Sequence, residues 1–453
     1  MVEMGKTKIG LSRVDITPPV GVPLLAHFEG VVLAKGVHDR LFCKALVIDD
    51  GENVAAILAN DLVGVDRGFV LSTRSLIEKE TGIEGKNIMI TTTHTHTAPS
   101  APSKSAMSEE KQLLQALNMI SRVEPYLKSW EEMEPYYTRK IASAAIIAYE
   151  NRKEARIGSS KGHLPSGIIC TNRRDPNEPM DPEVGVIRVD DEKGKLMGAL
   201  MNYSCHPTVN DPRETLLSGD FPAYATRIIE KTKKGSVAMF TNGAEGNIST
   251  RWARREQTFK EAERLGNILG AEALKVLEQI ETKDSVELKV GFEITRLPYK
   301  ELPPLKEAEE AARKAKSELE QLKKSGASHG ALRRGITNLQ GAEIVLGMVK
   351  AGGFKENERP VEIQVIAFND TALVGVPGEL FVQWGLRIKE KSRFEKTFII
   401  GLANDSIPYV LTPEDYEQEL YETYVSPWAP NAGLNIEKTA LGLLNELLGA
   451  ENS

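Results

Sequence analysis

Short apolar segments alternate with segments of helical periodicity along most of this chain. Residues 42–48, 54–60 and 88–93 are rich in aliphatic and β-branched residues, and a helical pattern separates the last two. Short apolar runs predict buried strands, and their alternation with helices is typical of an α/β protein. The same alternation returns in residues 184–280 and 361–403. We therefore expect mixed sheets flanked by helices.

Residues 301–353 have a different character. Residues 306–324 combine Glu, Lys and Ala at helical spacing, and residues 325–330 contain turn residues before a second helical pattern. This arrangement predicts a charged helical hairpin. We expect the hairpin to be an insertion within a single catalytic domain that spans residues 1–453. It is either a solvated surface insertion or a lid or dimer arm, and the last alternative implies a homo-oligomer.

The charge balance argues against a nucleic-acid partner. The 64 Asp and Glu residues outnumber the 57 Lys and Arg residues, which gives a formal net charge of -7. No segment is dense enough in Lys and Arg to form a stripe that binds phosphates. We therefore expect a small-molecule partner and no nucleic acid.

Targeting signals and cysteine pairs are both missing from the sequence pattern. Residues 1–10 lack the apolar stretch of a secretory signal, and no run reaches the roughly 18 apolar residues of a membrane span. These features predict a cytoplasmic protein without a transmembrane segment. The three cysteines, Cys43, Cys170 and Cys205, contain no C-x-x-C pair, so a metal would need His and carboxylate ligands.

The strongest local signal is a pair of histidines at the end of the strand predicted at residues 88–93. Strand alternation places His94 and His96 on one face, roughly 6 to 7 Å apart. Two such imidazoles can bind a metal together, or one can bind it while the other transfers protons. The alternative is a threonine-rich strand end that carries polar residues into a loop.

A third histidine and an acid complete a candidate metal site. His206 lies between an apolar strand and Pro207, and open α/β sheets place ligands beyond the carboxyl ends of their strands. Catalytic zinc commonly has two His ligands and one carboxylate. Glu379 follows a strand and Gly378, so it can supply the carboxylate. Its alternative role is to stabilise the first turn of a helix through the helix dipole.

Two further loops carry weaker signals. Residues 242–249 follow a strand and contain two glycines, so their N–H groups can approach a substrate, and Ser249 ends this loop. The loop does not have the G-x-S-x-G pattern of a nucleophile elbow. Residues 407–422 contain Tyr409 and Tyr421, and most such tyrosines pack with their hydroxyl in water.

Together these segments resemble the neutral ceramidase family, which includes zinc-dependent enzymes that hydrolyse the amide of N-acylsphingosine. The resemblance covers about residues 9–428. It rests on the order and spacing of the motifs Val14-Asp15-Ile16-Thr17-Pro18-Pro19, Gly36-Val37-His38-Asp39, His94-Thr95-His96-Thr97, Asn172-Arg173, Cys205-His206-Pro207, Pro377-Gly378-Glu379, Tyr409-Val410 and Tyr421-Glu422. It implies the fold of the family's N-terminal catalytic domain, in a short form without the C-terminal immunoglobulin-like domain.

The resemblance also implies roles for individual residues. The implied zinc ligands are His94, His206, Glu379 and Tyr409. The implied substrate contacts are His96, Arg173 and Tyr421. Ser249 corresponds to the serine of the family's Gly-Asp-Val-Ser motif, but Asn247 stands where the family has Asp.

These roles imply a zinc-dependent hydrolase that cleaves the linear amide bond of a small or lipid-like N-acyl substrate by attack of a zinc-bound water. Arg173 or Tyr421 would stabilise charge on the carbonyl oxygen, and His96 would protonate the leaving amine. Asp61 is either a partner that orients a ligand imidazole or a turn residue at a strand end. The alternatives are metal-free acyl transfer through Ser249, with His96 as base, and a non-catalytic binding protein on the same fold.

Overall fold

The computed structural model describes residues 6–24, 32–101, 127–211, 213–418 and 420–449. These residues form mixed sheets flanked by helices, which confirms the predicted α/β class. The strands are β1 (Lys8–Asp15), β2 (Pro23–Leu24), β3 (Val32–Leu33), β4 (Gly36–Val37), β5 (Phe42–Asp49), β6 (Val54–Asn60), β7 (Ile88–Thr92), β8 (Lys153–His163), β9 (Thr171–Asn172), β10 (Glu183–Asp191), β11 (Leu196–Tyr203), β12 (Leu216–Leu217), β13 (Val237–Asn242), β14 (Ile248–Ser249), β15 (Leu288–Pro298), β16 (Glu358–Phe368), β17 (Thr371–Gly375), β18 (Gly378–Leu380), β19 (Lys396–Ile400) and β20 (Ile407–Val410). The helices are α1 (Arg67–Thr81), α2 (Leu127–Glu150), α3 (Asp220–Thr232), α4 (Phe259–Leu277), α5 (Leu305–Lys324), α6 (His329–Lys350), α7 (Val382–Lys391), α8 (Tyr421–Val425) and α9 (Ala432–Leu447).

Two large sheets organise the molecule. The eight-stranded sheet has the order β13, β11, β10, β8, β1, β5, β6, β7, and the four-stranded sheet has the order β15, β16, β17, β19. Most neighbouring strands are antiparallel, but β6 with β7, β11 with β13 and β17 with β19 are parallel. The short strands β18 and β20 also pair in parallel, which brings the segments of Glu379 and Tyr409 together.

The two sheets pack face to face, and helices cover their outer faces. In β5, Leu46 and Ile48 face the second sheet, whereas Ala45 and Val47 face the helices. Because both faces of the strand are buried, its sequence is a continuous apolar run rather than an alternating one. Helices α1 and α2 cover one half of the larger sheet, α3 and α4 cover the other half, and α7 and α9 cover the smaller sheet.

The charged segment forms the predicted helical hairpin. Helices α5 and α6 pack against each other, and α5 buries Ala308, Ala315 and Leu319 while its charged residues remain in solvent. The backbone of α6 closely approaches α8 at Gly341, where an added Cβ would overlap the ring of Tyr424. None of the helices described for this chain is long and apolar enough to cross a membrane.

Candidate metal centre

The edge strands of the eight-stranded sheet approach each other at the ends of β7 and β13. Asn242, the last residue of β13, donates hydrogen bonds from Nδ2 to the carbonyl oxygen of Thr93 at 3.3 Å and to that of Cys205 at 3.1 Å. These two carbonyls immediately precede His94 and His206 in the sequence. One buried amide therefore joins the two segments that carry the predicted histidine ligands.

His94 has a constrained backbone and a fixed ring orientation. Its φ of 65° is in the left-handed region, where a residue other than glycine carries strain of about 1 to 3 kcal/mol. Its Nδ1 lies 2.7 Å from the carbonyl oxygen of Val63. Because a carbonyl oxygen can only accept, Nδ1 carries a proton, and in the neutral ring Nε2 presents a lone pair to the cluster.

His206 is oriented in the same way from the other side. Its side chain is fully buried, and its Nδ1 lies 2.8 Å from the carbonyl oxygen of Glu245. The proton is therefore on Nδ1, and Nε2 points away from the backbone. Burial, with the positive charge of Arg173, lowers the pKa of His206 to about 4. A neutral imidazole is the form that binds a metal.

Glu379 lies between these two rings. Its Oε2 is 2.9 Å from Nε2 of His206 and 3.7 Å from Nε2 of His94. Burial favours the protonated carboxyl, but the two imidazoles outweigh it and hold the pKa of Glu379 well below its usual value. Burial likewise opposes a charge on His94, but Glu379 outweighs that effect and raises the pKa of the ring.

His96 joins the same cluster. Its Nε2 lies 3.3 Å from Nε2 of His94, and the two rings meet edge to face with centroids 4.8 Å apart. Ligand atoms of His94, His96 and His206 all lie within 4.8 Å of one another. His96 can therefore reach either a cation held by its neighbours or a proton exchanged next to it.

An arginine and two tyrosines border the cluster. Nη1 of Arg173 lies 3.4 Å from Nε2 of His206, and its guanidinium carbon lies 5.0 Å from the ring centroid of Tyr409. The ring centroids of Tyr409 and His206 are 6.4 Å apart in a stacked arrangement, and those of Tyr409 and Tyr421 are 6.1 Å apart. Burial raises the pKa of both phenols, so both hydroxyls remain protonated.

These hydrogen-bond and ring contacts link most of the predicted site residues into one continuous group. Its members are His94, His96, Arg173, His206, Glu379, Tyr409 and Tyr421. The geometry brings these side chains together, while their individual roles as ligands or catalytic groups stay predictions.

Ser249 contacts this group through its backbone. It forms a β-bridge with His206, and its Oγ accepts a hydrogen bond of 3.3 Å from the N–H of Arg251. The hydroxyl thereby caps the short helical turn Thr250–Trp252. This contact gives Ser249 a local structural role, and its role as nucleophile stays a prediction.

Asp61 does not have the predicted orienting role. Its Oδ2 accepts a hydrogen bond of 2.9 Å from the N–H of Phe42, at the start of the neighbouring strand. The carbonyl of Val63 instead orients His94. Asp61 therefore serves as a buried residue at a strand end, the alternative that the sequence left open.

Glu245 belongs to the cluster but was not among the predicted site residues. Its ligand atom lies within 4.8 Å of those of His94 and Glu379. Burial raises the pKa of Glu245 to about 8. In the sequence, Glu245 lies between Gly243 and Gly246, and this position was the one feature that could have indicated it. The two glycines were interpreted only as a loop that a substrate can approach.

Several relatives of known name align with the chain, although no family model matches it. The neutral ceramidase of Pseudomonas aeruginosa is 23% identical over 98% of this chain and 73% of its own length. The neutral ceramidase of Drosophila melanogaster is 25% identical over 49% of this chain and 32% of its own length. Neutral ceramidase B of Dictyostelium discoideum is 23% identical over 53% of this chain and 35% of its own length. The chain thus spans about three quarters of the bacterial relative and about one third of the other two.

The fold agrees with these alignments. The crystal structure of the Pseudomonas aeruginosa neutral ceramidase superposes with a TM-score of 0.74 at 19% identity, covering 99% of this chain and 75% of that chain. A structure of a ceramidase complexed with C2 superposes with a TM-score of 0.71 at 17% identity. The resemblance to neutral ceramidases is confirmed: the chain is similar to them in sequence and has their fold.

Proposed function

We propose that this protein is a zinc-dependent hydrolase that cleaves the linear amide bond of an N-acyl compound. The proposed zinc ligands are His94, His206, Glu379 and Tyr409. Homology to neutral ceramidases supports the hydrolysis of an amide bond. The cluster of histidine and glutamate ligand atoms supports a bound divalent cation.

One geometric observation carries the metal proposal. His94 and His206 both donate their Nδ1–H to backbone carbonyls, so each ring presents a lone pair at Nε2. The Nε2 of His206 faces a carboxylate oxygen of Glu379 at 2.9 Å, and that oxygen can also only accept. Arg173 offers one donor, but its distance of 3.4 Å to Nε2 of His206 exceeds the usual hydrogen-bond length. A divalent cation stabilises such a group of converging, buried acceptors.

The remaining side chains suit the hydrolysis of an amide. A zinc ion at these ligands would make water nucleophilic at neutral pH and polarise the carbonyl group. Arg173 and Tyr421 border the ligands, where they can donate hydrogen bonds to a carbonyl oxygen that gains negative charge. His96, next to His94, can transfer a proton to the leaving amine.

Homology supports the proposed substrate class. The relatives carry the name neutral ceramidase, so we propose an N-acyl compound for this chain as well. Both small and lipid-like N-acyl compounds belong in the test, because the proposed roles of the cluster concern the amide group alone. A panel of N-acyl compounds with short and long chains separates these two cases.

Elemental analysis combined with hydrolysis assays tests the proposal. We expect about one zinc ion per chain and activity on the panel that chelation abolishes and added zinc restores. The double variant His94→Ala, His206→Ala should lose both zinc and activity. His163→Ala is the matched control, because His163 is an exposed residue of β8 outside the cluster. Undiminished zinc in the double variant, or activity that resists complete chelation, would overturn the proposal.

A further inference from the structure

Glu245 is a buried acid without a hydrogen-bond partner. Its side chain is 0% exposed, and neither carboxylate oxygen has a partner in the part of the chain that the structure describes. Buried carboxylates are normally hydrogen-bonded, paired or bound to a metal, because an unpaired buried charge has a high free-energy cost. The position of this acid therefore calls for a ligand.

The carboxylate of Glu245 is directed at the histidine cluster. One of its oxygens lies within 4.8 Å of a ligand atom of His94 and of Glu379. The backbone carbonyl of the same residue accepts the hydrogen bond from Nδ1 of His206. Gly401 leaves room for the carboxylate, since a Cβ at that position would lie 2.7 Å from Oε2 of Glu245.

Two basic groups near Glu245 give it no hydrogen bond. His94 and, more weakly, Arg173 oppose the rise in the pKa of Glu245 through their charge, but Nε of Arg173 donates to Oε1 of Glu422 at 2.7 Å. The second acid of the cluster, Glu379, repels Glu245 and so adds to the cost of placing it there. Buried charges are normally paired or coordinate metals, and a cation bound near both carboxylates would stabilise their charged forms.

We propose that Glu245 is an additional carboxylate ligand of the divalent cation at His94, His206 and Glu379. This inference rests on the proposed function, because it presupposes a cation at that cluster. The motifs of the sequence did not point to this role. Glu245 would bring the number of glutamate ligands to two, and their charges would balance the cation.

A second carboxylate also affects which metal the site prefers. Imidazole ligands suit zinc, whereas carboxylate oxygens suit harder cations such as manganese. Removal of the Glu245 carboxylate should therefore weaken the binding of Mn²⁺ more than the binding of Zn²⁺. This difference separates a ligand from a residue that merely supports the fold, since a supporting residue would affect both metals alike.

Metal affinities of the glutamine variant test the inference. Dissociation constants for Zn²⁺ and Mn²⁺ are measured on metal-stripped full-length protein by competition with a chelator. In Glu245→Gln we expect binding to weaken at least about tenfold for Zn²⁺, and further for Mn²⁺. Glu437→Gln is the matched control, because Glu437 is a buried glutamate of α9 that pairs with Arg387 and Lys391. Its metal affinities should remain those of the wild type.

A thermal melt of the metal-free proteins separates lost affinity from lost folding. Metal-free Glu245→Gln should melt at or above the wild-type temperature, because the substitution removes a buried, unpaired acid. If that variant does not fold, Glu245→Asp, which withdraws the carboxylate by one methylene group, should show the same weakened binding. Wild-type affinity for both metals in the folded variant would overturn the inference while leaving the proposed function intact. Failure of the wild-type protein to bind any divalent cation would overturn the proposed metal site, and this inference with it.

Discussion

Arg173 and Glu422 are 249 positions apart in the sequence, yet Nε of the arginine donates to Oε1 of the glutamate across 2.7 Å. Both side chains are buried. Burial alone would raise the pKa of Glu422, but the charge of Arg173 outweighs it and lowers that pKa. The pair is therefore ionised, and it holds the guanidinium beside His206.

We expect Glu422→Gln to reduce both stability and turnover. Loss of one partner leaves the other charge buried and unpaired, which typically costs about 3 to 5 kcal/mol in the free energy of unfolding. The freed guanidinium would no longer be fixed beside His206, where we propose that it contacts the substrate. Urea unfolding and steady-state kinetics measure the two effects. Asp211→Asn is the control, because the exposed pair of Asp211 with Arg213 should contribute less than about 1 kcal/mol. Equal stability changes in the two variants would contradict the prediction.

Replacing Tyr421 by Phe should slow turnover without releasing zinc. Removal of one donor to a developing oxyanion typically lowers the rate by about 100 to 1,000-fold. Hydrolysis rates and zinc content measured on the same preparation check the prediction. Tyr416→Phe is the control, because the hydroxyl of Tyr416 donates to the carbonyl of Trp428 and serves packing. Parallel loss of zinc and turnover in Tyr421→Phe would argue against a role at the substrate.

Ser249→Ala should remain an active hydrolase with a modest loss of stability. Its Oγ caps the turn that begins at Thr250, and loss of such a cap costs about 0.5 to 2 kcal/mol. Loss of a serine nucleophile would instead lower turnover by up to about 10⁶-fold. Kinetic assays in the presence and absence of a chelator therefore distinguish the proposed metal hydrolase from serine chemistry.

The buried carboxyl of Asp61 should make stability depend on pH. Burial raises its pKa to about 6, although the charge of Lys44 opposes that shift. The folded protein therefore binds this proton more tightly than the unfolded chain, whose aspartate pKa is about 3.9. Its contribution to stability is complete below that value and is lost as the pH rises through about 6.

The variant Asp61→Asn removes this dependence. Between pH 4 and pH 7.5, the free energy of unfolding of Asp61→Asn should increase by about 1 to 3 kcal/mol relative to that of the wild type. Chemical unfolding at both pH values measures the difference, and the exposed substitution Asp211→Asn should show none. A difference in the free energy of unfolding between Asp61→Asn and wild type that stays constant across this range would contradict a raised pKa for the buried carboxyl.

Strands with two buried faces were the most predictable part of the fold. Residues 54–60 were predicted as a strand, and β6 has those bounds. Its residues 54–59 alternate between the two apolar cores on either side of the sheet. Strands β1, β8 and β15 were not predicted. Each has charged residues at exposed positions, so the apolar periodicity is weak, and it is the backbone pairing with β5, β10 and β16 that fixes these strands.

The candidate site was predicted where its residues stand in recognisable local patterns. His94 and His206 each follow a strand, and Glu379 lies in the short strand β18. The fold brings these three segments together. Glu245 was not predicted, because a sequence does not show whether a buried acid has a hydrogen-bond partner. Only the packed structure shows that, among the described residues, neither carboxylate oxygen of Glu245 has one. The sequence left two roles open for Asp61, because it does not specify which backbone groups lie near an imidazole. In the structure the carbonyl of Val63, and not Asp61, contacts Nδ1 of His94.

The orientation of both candidate histidine ligands depends on main-chain atoms. The acceptors for Nδ1 are the carbonyls of Val63 and Glu245. Every amino acid retains that oxygen, so a substitution at position 63 keeps this acceptor and does not turn the ring of His94. Relatives that share fewer than one residue in four with this chain can therefore keep the same imidazole geometry. An insertion or deletion in either segment would shift these carbonyls, so the orientation of both rings depends on the length of the two loops.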